Sequence, residues 1–428
     1  MKRSIVWFKS DLRLTDNETL TQAVLTSEEV IPVYCLDERL LTQKQFGSKR
    51  IGAFRLRFLL ESLADLDASL RSKGSGLVFR IGIPEKIIPA LVAELGVDKV
   101  FAKKEVAHEE KAVQADVEKE LWKQKSLFEE FSTSTLYHAV DLPFGIRNIP
   151  DVFSAFRKRV EKETPIRIPC EVPEQLKSPS IAPLKLPTLT DLGFEEPEYD
   201  ERAVLSFRGG ESEAHKRLVH YFFETRALSS YKETRNGLIG PDYSSKFSPW
   251  LALGCISARW IYHQVKEYEQ LHGANDSSYW LIFELIWRDY FRFVMKKHEA
   301  RLFELHGFNG QRALNDLNDQ ELLDKWINGT TGDDFVDANM RELKYTGFMS
   351  NRGRQNVASY LIDQLKVDWR LGAAYFEEQL IDYDVSSNWG NWAYLAGVGN
   401  DPRGKRVFNT EKQAKDYDPE GKYRKIWI

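Results

Sequence analysis

Residues 379–403 read QLIDYDVSSNWGNWAYLAGVGNDPR and set polar side chains among aromatic and aliphatic ones. Asp382, Asp384 and Asn388 each lie close in sequence to leucine, isoleucine, valine or tryptophan. Polar groups in such surroundings are normally hydrogen-bonded to something buried. A planar heteroaromatic cofactor with ring N–H and C=O groups would supply such partners. The alternative is a well-packed helix junction that satisfies its own hydrogen bonds.

The composition is typical of a globular protein with more than one domain. A chain of 428 residues with 42% hydrophobic and 29% charged residues can build two or more sizeable cores. The net charge of -4 argues against an overall electrostatic grip on duplex nucleic acid but leaves room for a local basic patch.

Cysteine and histidine usage predicts a cytosolic protein without a metal site. Cys35, Cys170 and Cys255 are far apart and show no zinc-binding spacing, so we expect reduced thiols. The histidines also lack ligand spacing. No apolar run is long enough to cross a membrane, and we expect no membrane partner.

The first 135 residues alternate short apolar runs with amphipathic segments. Strands are predicted at 4–8, 30–36, 77–81, 97–102 and 127–131. Helices are predicted at 17–26, 50–73, 85–95 and 112–125. This alternation indicates a parallel, doubly wound sheet. Neither GxGxxG nor GxxxxGK[ST] follows the first strand, which argues against an ordinary dinucleotide or P-loop site.

The rest of the chain divides into a proline-rich connector and a helical part. Seven prolines between 165 and 197 interrupt a stretch with few periodic segments. Helices are predicted beyond it at 210–226, 257–271, 277–298, 319–328, 333–346, 352–366 and 372–380. The predicted architecture is α/β plus all-α: an α/β domain over 1–135, a connector over 136–205 and a helical domain over 206–428.

One predicted core helix, YWLIFELIWRDYFRF at 279–293, carries a carboxylate among aromatic residues. Glu284, Trp287 and Arg288 stand at i, i+3 and i+4 and therefore share one face. Two interpretations fit. Glu284 and Arg288 form an ion pair on a partly wet face, or the face is a cavity wall in which Trp287 stacks on a flat ligand and Glu284 bonds its polar edge.

Two further stretches contain residues that could bind an anionic group such as a phosphate. Ser244 to Ser248, SSKFS, supplies hydroxyl and backbone donors with one cation before a helix, which suits a pyrophosphate; a solvated serine loop is the alternative. In MSNRGRQ at 349–355, Arg352 could bind a phosphate and Arg354 could pair with Asp382 or Asp384.

The C-terminal region is locally basic. The loop NDPRGKR at 400–406 and the lysines and arginines after it could follow a nucleic-acid backbone. A solvated basic tail is the alternative.

Several long motifs together resemble the photolyase/cryptochrome flavoproteins, most closely the cryptochrome-DASH branch. The motifs are RGGESEA (208–214), FELIWRDYFRF (283–293), GDDFVDANMREL (332–343), TGFMSNRGRQNVASYL (346–361) and LIDYDVSSNWGNWAYLAGVGNDPR (380–403). The resemblance runs the length of the chain and implies an N-terminal α/β antenna domain and a helical FAD domain.

The resemblance also implies how each candidate residue acts, with FAD bound in a U shape in the helical domain. The implied phosphate contacts are Tyr231, Ser244, Ser245, Lys246, Phe247 and Ser248. The implied contacts to the rest of the cofactor are Arg288, Arg354, Asp382, Asp384 and Asn388, with Asn388 near flavin N5. The implied wall of the cavity for a flipped pyrimidine dimer comprises Glu284, Trp287, Asn351, Arg352, Gln355 and Tyr394. The implied DNA contacts are Arg235, Arg406 and Gln413. An antenna, 5,10-methenyltetrahydrofolate, is expected at Glu109 or Glu110.

Two positions favour the DASH branch and single-stranded DNA. Gln355 and Tyr394 stand where duplex-acting photolyases have methionine and tryptophan, so the wall should hold a flipped dimer less tightly. A single strand largely avoids the cost of extruding the dimer. The resemblance therefore implies a monomeric, light-driven enzyme that splits cyclobutane pyrimidine dimers in single-stranded DNA by electron transfer from reduced flavin.

The alternative function is a blue-light photoreceptor that signals through a partner. The sequence ends shortly after Asp418 without a long regulatory tail, which favours repair. The resemblance also implies that tryptophans supply electrons to the flavin, with Trp392 proximal and Trp369 next. The distal tryptophan should fall at 314–318, where this chain reads LNDLN, so we expect a shortened or rerouted chain.

Overall fold

The computed structural model describes residues 2–309, 318–402 and 407–428. Its N-terminal part contains a parallel five-stranded sheet, whose strands are β1 (Arg3–Phe8), β2 (Glu29–Asp37), β5 (Val78–Gly82), β6 (Lys99–Lys103) and β7 (Leu127–Phe131). Their order across the sheet is β5-β2-β1-β6-β7. A small antiparallel hairpin pairs β3 (Lys44–Gln45) with β4 (Ser48–Lys49). The predicted parallel fold is confirmed.

Helices cover both faces of the sheet, which explains why its central strands are almost continuously apolar. The helices of this part are α1 (Glu18–Thr26), α2 (Glu38–Thr42), α3 (Ala53–Ser72), α4 (Pro84–Leu95) and α5 (His108–Lys123). Trp7 and Val33 point toward α4 and α5, while Val6 and Phe8 belong to a core that continues into the helical part. The carboxyl ends of β1, β2 and β6 therefore face the helical domain.

One helix, α6 (Phe153–Glu163), lies in the predicted connector, before the seven prolines between 165 and 197. Phe153, Phe156 and Val160 are its buried residues, and both phenylalanines contact Tyr290. The remaining positions of α6 are mostly charged and exposed. Because only one narrow stripe is apolar, the sequence pattern alone did not predict this helix.

The remaining elements form the helical domain. Its helices are α7 (Glu211–Val219), α8 (Tyr231–Thr234), α9 (Ser248–Ala252), α10 (Ala258–His272), α11 (Asp276–His298), α12 (Gln320–Asn328), α13 (Asp334–Thr346), α14 (Asn351–Asp363), α15 (Trp369–Gln379), α16 (Val385–Ala396), α17 (Thr410–Tyr417) and α18 (Lys422–Trp427). The helices predicted from the sequence fall here within a few residues, but α8, α9, α16, α17 and α18 were not predicted.

The C-terminal helices correct one interpretation of the basic region. Tyr423 and Trp427 of α18 are buried with Phe335 and Ala338 of α13, and α17 adds Ala414 to the same cluster. This part of the chain is therefore packed onto the helical domain, and the interpretation as a solvated tail is wrong for α17 and α18.

Buried polar contacts join the α/β domain and the start of the connector to the helical domain. Arg259 Nη2 lies 2.7 Å from Asp16 Oδ1, with both side chains almost fully buried. Asp289 accepts hydrogen bonds from the backbone N–H groups of Leu136 and Tyr137 at 3.0 and 2.8 Å. Such contacts are directional and costly to break, so they fix the sheet edge against the helical bundle. Within the described ranges, no helix is both long and apolar enough for a membrane span.

Candidate functional site

Three adjoining lobes form one cavity in the helical domain, and Asn351 lines all of them. The loop lobe, of ≈ 240 Å³, is bounded by 244–248. The wall lobe, of ≈ 330 Å³, is bounded by Glu284 and Trp287 of α11. The ring lobe, of ≈ 100 Å³, is bounded by the α15–α16 junction. Residues far apart in sequence thus meet around one space.

A buried amine lies in the loop lobe. Lys246 is 3% exposed, and its Nζ has no hydrogen-bond partner among the described residues. The amine sits 3.1 Å from the centroid of the Tyr243 ring. Burial, together with the nearby charge of Arg217, lowers the pKa of Lys246 to about 6. A buried amine without a partner is costly, and an anionic ligand would satisfy it.

Arg217 of α7 shapes this loop, although the sequence analysis did not select it. Its guanidinium donates to the backbone oxygens of Pro241, Ser244 and Ser245 at 2.9–3.1 Å. It also binds Asp242 at 2.8 Å. Lone arginines on amphipathic helices are common, so nothing local in the sequence distinguished Arg217. Its role here is to hold the loop open around the lobe.

An ion pair closes one side of the ring lobe. Arg354 Nη2 lies 2.8 Å from Asp382 Oδ2, and the Asp382 side chain is nearly inaccessible. Of the two partners considered for Arg354, the structure therefore selects Asp382. The second carboxylate oxygen, Asp382 Oδ1, is buried without a hydrogen-bond partner among the described residues. That oxygen is available to accept from a ligand N–H.

Asp384 and Asn388 complete the ring lobe from α16. Asp384 caps this helix by accepting from the Ser387 N–H at 2.8 Å. Although its burial acts in the opposite direction, Arg288 and Arg292 together lower the pKa of Asp384, which therefore stays ionised. Asn388 Nδ2 donates to the Ala373 backbone oxygen at 2.9 Å, which fixes the amide orientation. This stretch is therefore a helix junction with hydrogen bonds of its own, and it also forms a wall of the cavity.

Glu284 has a different partner from the one considered in the sequence. Its Oε1 lies 2.5 Å from Arg235 Nη1 across the wall lobe. Burial raises the pKa of Glu284, and Arg235 opposes that rise. Arg288 instead donates to the backbone oxygens of Ser134 and Leu251. The proposed Glu284–Arg288 ion pair is therefore wrong, and the two side chains line the cavity separately.

Aromatic and amide side chains form the rest of the wall lobe. Trp287 stacks on Phe153 with ring centroids 3.6 Å apart and meets Tyr394 edge-on at 6.0 Å. Gln355 accepts from Arg352 Nη1 at 3.1 Å. These contacts fix two planar faces and an amide around an open pocket.

Two of the three expected DNA contacts, Arg235 and Gln413, are among the described residues, and both bond to side chains that line the wall lobe. Arg352 donates to Asn236 at 3.0 Å and to Gln413 at 3.3 Å, so α14 and α17 are linked there. Arg235 is bound to Glu284, as described above. Arg406 lies outside the described residues.

The other residues expected at the phosphates surround the loop lobe. Tyr231 opens α8 and Ser248 opens α9, and both side chains face the lobe with those of Ser244, Ser245 and Phe247. Phe247 and Ser245 are buried, so the loop is not a solvated serine stretch. The alternative of a solvated serine loop is therefore wrong.

A second cavity, of ≈ 250 Å³, lies between the two domains at the carboxyl ends of the strands. We name it the interdomain cavity. Glu110 lines it, and burial together with Glu105 raises the pKa of Glu110 to about 7. Glu109 is more exposed and pairs with Arg50 at 2.8 Å. Ligands of open α/β sheets bind at this edge.

Trp392 and Trp369 are both buried behind the ring lobe. Trp392 lines the lobe, and Trp369 donates from Nε1 to the Leu305 backbone oxygen at 3.0 Å. Position 318 is an asparagine, and 310–317 lie outside the described residues. The expectation of a missing distal tryptophan therefore stands on the sequence LNDLN alone.

Comparisons with known proteins identify the two domains. A family model described as DNA photolyase matches residues 4–176, and one described as the FAD binding domain of DNA photolyase matches residues 280–428. The chain is 52% identical to a cryptochrome DASH of Gloeobacter violaceus over 428 residues, covering 100% of this chain and 85% of that protein. It is 50% identical to a cryptochrome DASH of Danio rerio, covering 99% and 82%.

Solved structures agree. The crystal structure of a Synechocystis cryptochrome superposes with a TM-score of 0.96 at 46% identity, covering 100% of this chain and 89% of the other. A class III photolyase of Agrobacterium tumefaciens gives a TM-score of 0.84 at 29% identity, covering 100% and 86%. A Sulfolobus tokodaii photolyase described with two FAD molecules gives 0.80 at 28%, covering 100% and 90%.

A parallel-sheet domain joined to a helical domain with a lobed, partly charged cavity defines a two-domain flavoprotein. The chain belongs to the photolyase/cryptochrome family, in its cryptochrome-DASH branch. The residues present fit FAD. Lys246 offers an unpaired buried amine that can take up a proton beside a pyrophosphate, and Asp382 offers an unpaired acceptor for a ring N–H.

Replacing Lys246 by methionine should weaken FAD binding to flavin-depleted protein about 10- to 100-fold. A hydrogen bond to a charged group contributes about 1.5–3 kcal/mol, and 1.4 kcal/mol corresponds to tenfold in affinity. Isothermal titration calorimetry measures the change. Lys412→Met, at an exposed lysine of α17, is the matched control and should bind FAD like the wild type. Equal affinities of all three proteins would contradict a phosphate contact by Lys246.

The same lysine should make FAD binding depend on pH. Its pKa of about 6 means that the amine is mainly neutral at pH 8 in the free protein. A bound pyrophosphate raises that pKa, so binding near pH 8 should take up about one proton, and affinity should fall as pH rises above 6. Calorimetry in buffers of different ionisation enthalpy counts the proton. Unchanged proton uptake in Lys246→Met would refute this linkage.

Proposed function

We propose that the protein repairs cyclobutane pyrimidine dimers in single-stranded DNA with light and reduced FAD. The observation that carries this proposal is the wall lobe, which places Glu284, Trp287 and Tyr394 beside the ring lobe. An open pocket with a carboxyl, flat aromatic faces and an adjoining flavin site suits two linked, adjacent bases turned out of one strand. When bound and reduced, FAD supplies the light-driven electron that opens the cyclobutane ring.

The residues of the wall lobe have distinct tasks in this proposal. Trp287 and Tyr394, whose rings meet edge-on, form two adjoining aromatic sides of the pocket for the dimer. Glu284 lines the wall lobe and has a raised pKa, so it can hydrogen-bond or donate a proton to the developing negative charge. Arg235 fixes the position of that carboxyl through their ion pair. Arg352 and Gln413 lie at the rim, where the sugar–phosphate backbone would pass.

The choice of single-stranded substrate follows from the same wall. Gln355 and Tyr394 both line it and provide polar groups in place of larger apolar surface. Stacking of a base on an aromatic side chain contributes about 1–3 kcal/mol, and weaker contacts offset less of the cost of extrusion from duplex. The net charge of -4 also limits non-specific attraction to duplex DNA.

The three cysteines are all free, which supports a reducing compartment such as the cytosol. We propose that the protein acts there as a monomer.

Glu284→Ala should lower the rate of dimer repair about tenfold or more while FAD content stays unchanged, because the carboxyl that meets the developing charge is lost. Repair of a defined dimer in a short oligonucleotide, per photon absorbed, is the measurement. Glu284→Gln keeps the contact with Arg235 and separates the loss of a proton donor from a change in wall shape. Glu321→Ala, at an exposed acid of α12, is the control. Wild-type repair by Glu284→Ala would remove this role.

Repair should be at least about tenfold more efficient on a dimer in a single strand than on the same dimer in duplex, since extrusion costs a few kcal/mol. The two substrates are compared at one salt concentration with chemically reduced protein. The double variant Gln355→Met/Tyr394→Trp should reduce the difference in repair efficiency between the single-stranded and the duplex substrate. Equal repair efficiency on the single-stranded and the duplex substrate would contradict the preference for single-stranded DNA. Repair of neither substrate by FAD-loaded protein would contradict repair and favour the photoreceptor alternative.

We also propose 5,10-methenyltetrahydrofolate as an antenna in the interdomain cavity. The cavity offers the rings of Trp7, Tyr34 and Tyr383 for a pterin plane and Glu110 for its amino edge.

Glu110→Gln should weaken folate binding about tenfold or more, whereas Glu109→Gln should have less effect because Glu109 is bound to Arg50. Fluorescence titration with the folate measures both. A larger loss in Glu109→Gln would assign the contact to Glu109, and tight binding of a second FAD in place of folate would refute the folate assignment.

A further inference from the structure

Oxidisable side chains continue beyond the two tryptophans named above. Trp392 lines the ring lobe and packs on α15 at Gly372, where a Cβ atom would overlap its indole. Trp369 lies one turn earlier on the same face of α15. The indoles of Trp369 and Trp389 then meet edge-on with centroids 5.8 Å apart. Electron transfer from residue to residue is therefore not confined to the first two.

Trp389 leads on to a tyrosine and a carboxylate. Its Nε1 donates to Tyr383 Oη at 3.3 Å, and Tyr383 Oη donates to Glu377 Oε2 at 2.8 Å. Glu377 is almost fully buried, and its other oxygen lies 2.6 Å from Arg50 Nε. Tyr383 and Glu377 both line the interdomain cavity. The aromatic route thus ends at a phenol with a proton acceptor already in place.

We propose that Trp389, Tyr383 and Glu377 form the outer end of the electron-supply route to the flavin. The route replaces a distal tryptophan and ends as a tyrosyl radical at the interdomain cavity. This inference rests on the proposed light-driven function, since it requires photoreduction of bound FAD. It concerns how the flavin is reduced and leaves the wall lobe unaffected.

The surroundings of Tyr383 require that its oxidation release a proton. The Arg55 guanidinium lies 4.6 Å from the centroid of its ring and disfavours any net positive charge there. Burial and the Glu377 carboxylate keep the pKa of Tyr383 well above its usual range, so the phenol is protonated before oxidation. The carboxylate at 2.8 Å accepts the proton as the electron leaves.

Each transfer moves one electron inward. Trp392 gives an electron to the light-excited flavin, Trp369 gives one to oxidised Trp392, and Trp389 gives one to oxidised Trp369. Tyr383 then gives one electron to oxidised Trp389 and its phenolic proton to Glu377 Oε2, which leaves a neutral tyrosyl radical and a carboxylic acid. A thiolate from solvent returns an electron to the radical while Glu377 returns the proton. Two thiyl radicals combine as a disulfide.

A second series of aromatic residues also starts at Trp392 and provides a matched control for the proposed route. Trp326 also contacts Trp392, with centroids 6.2 Å apart, and meets Tyr375 at 5.8 Å. Within the described part of the chain, Tyr375 makes no hydrogen bond to a carboxylate. A tyrosine without a proton acceptor is hard to oxidise, so this branch should not yield a stable radical. Trp326→Phe therefore removes a neighbouring indole of equal burial and leaves the contacts among Trp369, Trp389 and Tyr383 in place.

The experiment follows radicals in the full chain loaded with oxidised FAD, without antenna, because a ligand in the interdomain cavity would block the thiolate. Electron paramagnetic resonance and transient absorption after a light pulse should show a neutral tyrosyl radical in the wild type and in Trp326→Phe. Trp389→Phe and Tyr383→Phe should lower its yield about tenfold. Glu377→Gln should slow its formation and reduce the effect of deuterated water, which a merely structural role would not change.

A tyrosyl yield that is unchanged in both Trp389→Phe and Tyr383→Phe would overturn the proposal. So would a yield lost only in Trp326→Phe. Tyr383→Phe removes a single hydroxyl, so it tests the route even if Trp389→Phe does not fold. Dimer repair by wild-type protein reduced chemically in the dark tests the proposed function separately. Repair without a tyrosyl radical would refute only this route, and a tyrosyl radical without repair would refute only the repair function.

Discussion

The Arg354–Asp382 ion pair is the contact on which the cofactor site depends. Asp382 is removed from water, and a buried carboxylate is tolerated only with a charged partner. Losing either partner of such a pair costs about 3–5 kcal/mol. The pair ties the start of α14 to the α15–α16 junction. It thereby sets Asn351 and Gln355 of the wall lobe against Asp384 and Asn388 of the ring lobe.

A second set of charges connects this site to the α/β domain. Arg292 lies 3.4 Å from both Glu105, which follows β6, and Asp384, which caps α16. Asp384 and Tyr383 each line the ring lobe and the interdomain cavity, so one wall separates the two spaces. A light-gathering ligand on one side and a flavin on the other would be neighbours. The same wall carries the proposed outer end of the electron route, so an antenna and a reductant would compete for the interdomain cavity.

Local patterns predicted most of the fold because they report burial along single elements. The apolar strands required coverage on both faces, and the helices from α10 to α15 followed from their periodicity. Helix α6 did not, since three buried positions among charged ones give a weak pattern. The C-terminal helices were not predicted because their many lysines and arginines leave no clear apolar periodicity around Tyr423 and Trp427. These two residues are buried by contact with α13.

The sequence by itself determined the family, the two-domain class and most of the residues that line the lobed cavity, because long motifs and periodic burial are local properties. Tertiary structure decided the partners. Glu284 pairs with Arg235, 49 positions away, although Arg288 is four positions away on its own helix. Trp389 meets Trp369, and Arg217 holds a loop on another segment. Which groups pair depends on how the elements pack across the core. The spacing of residues along the chain does not specify how close two elements come in the folded protein.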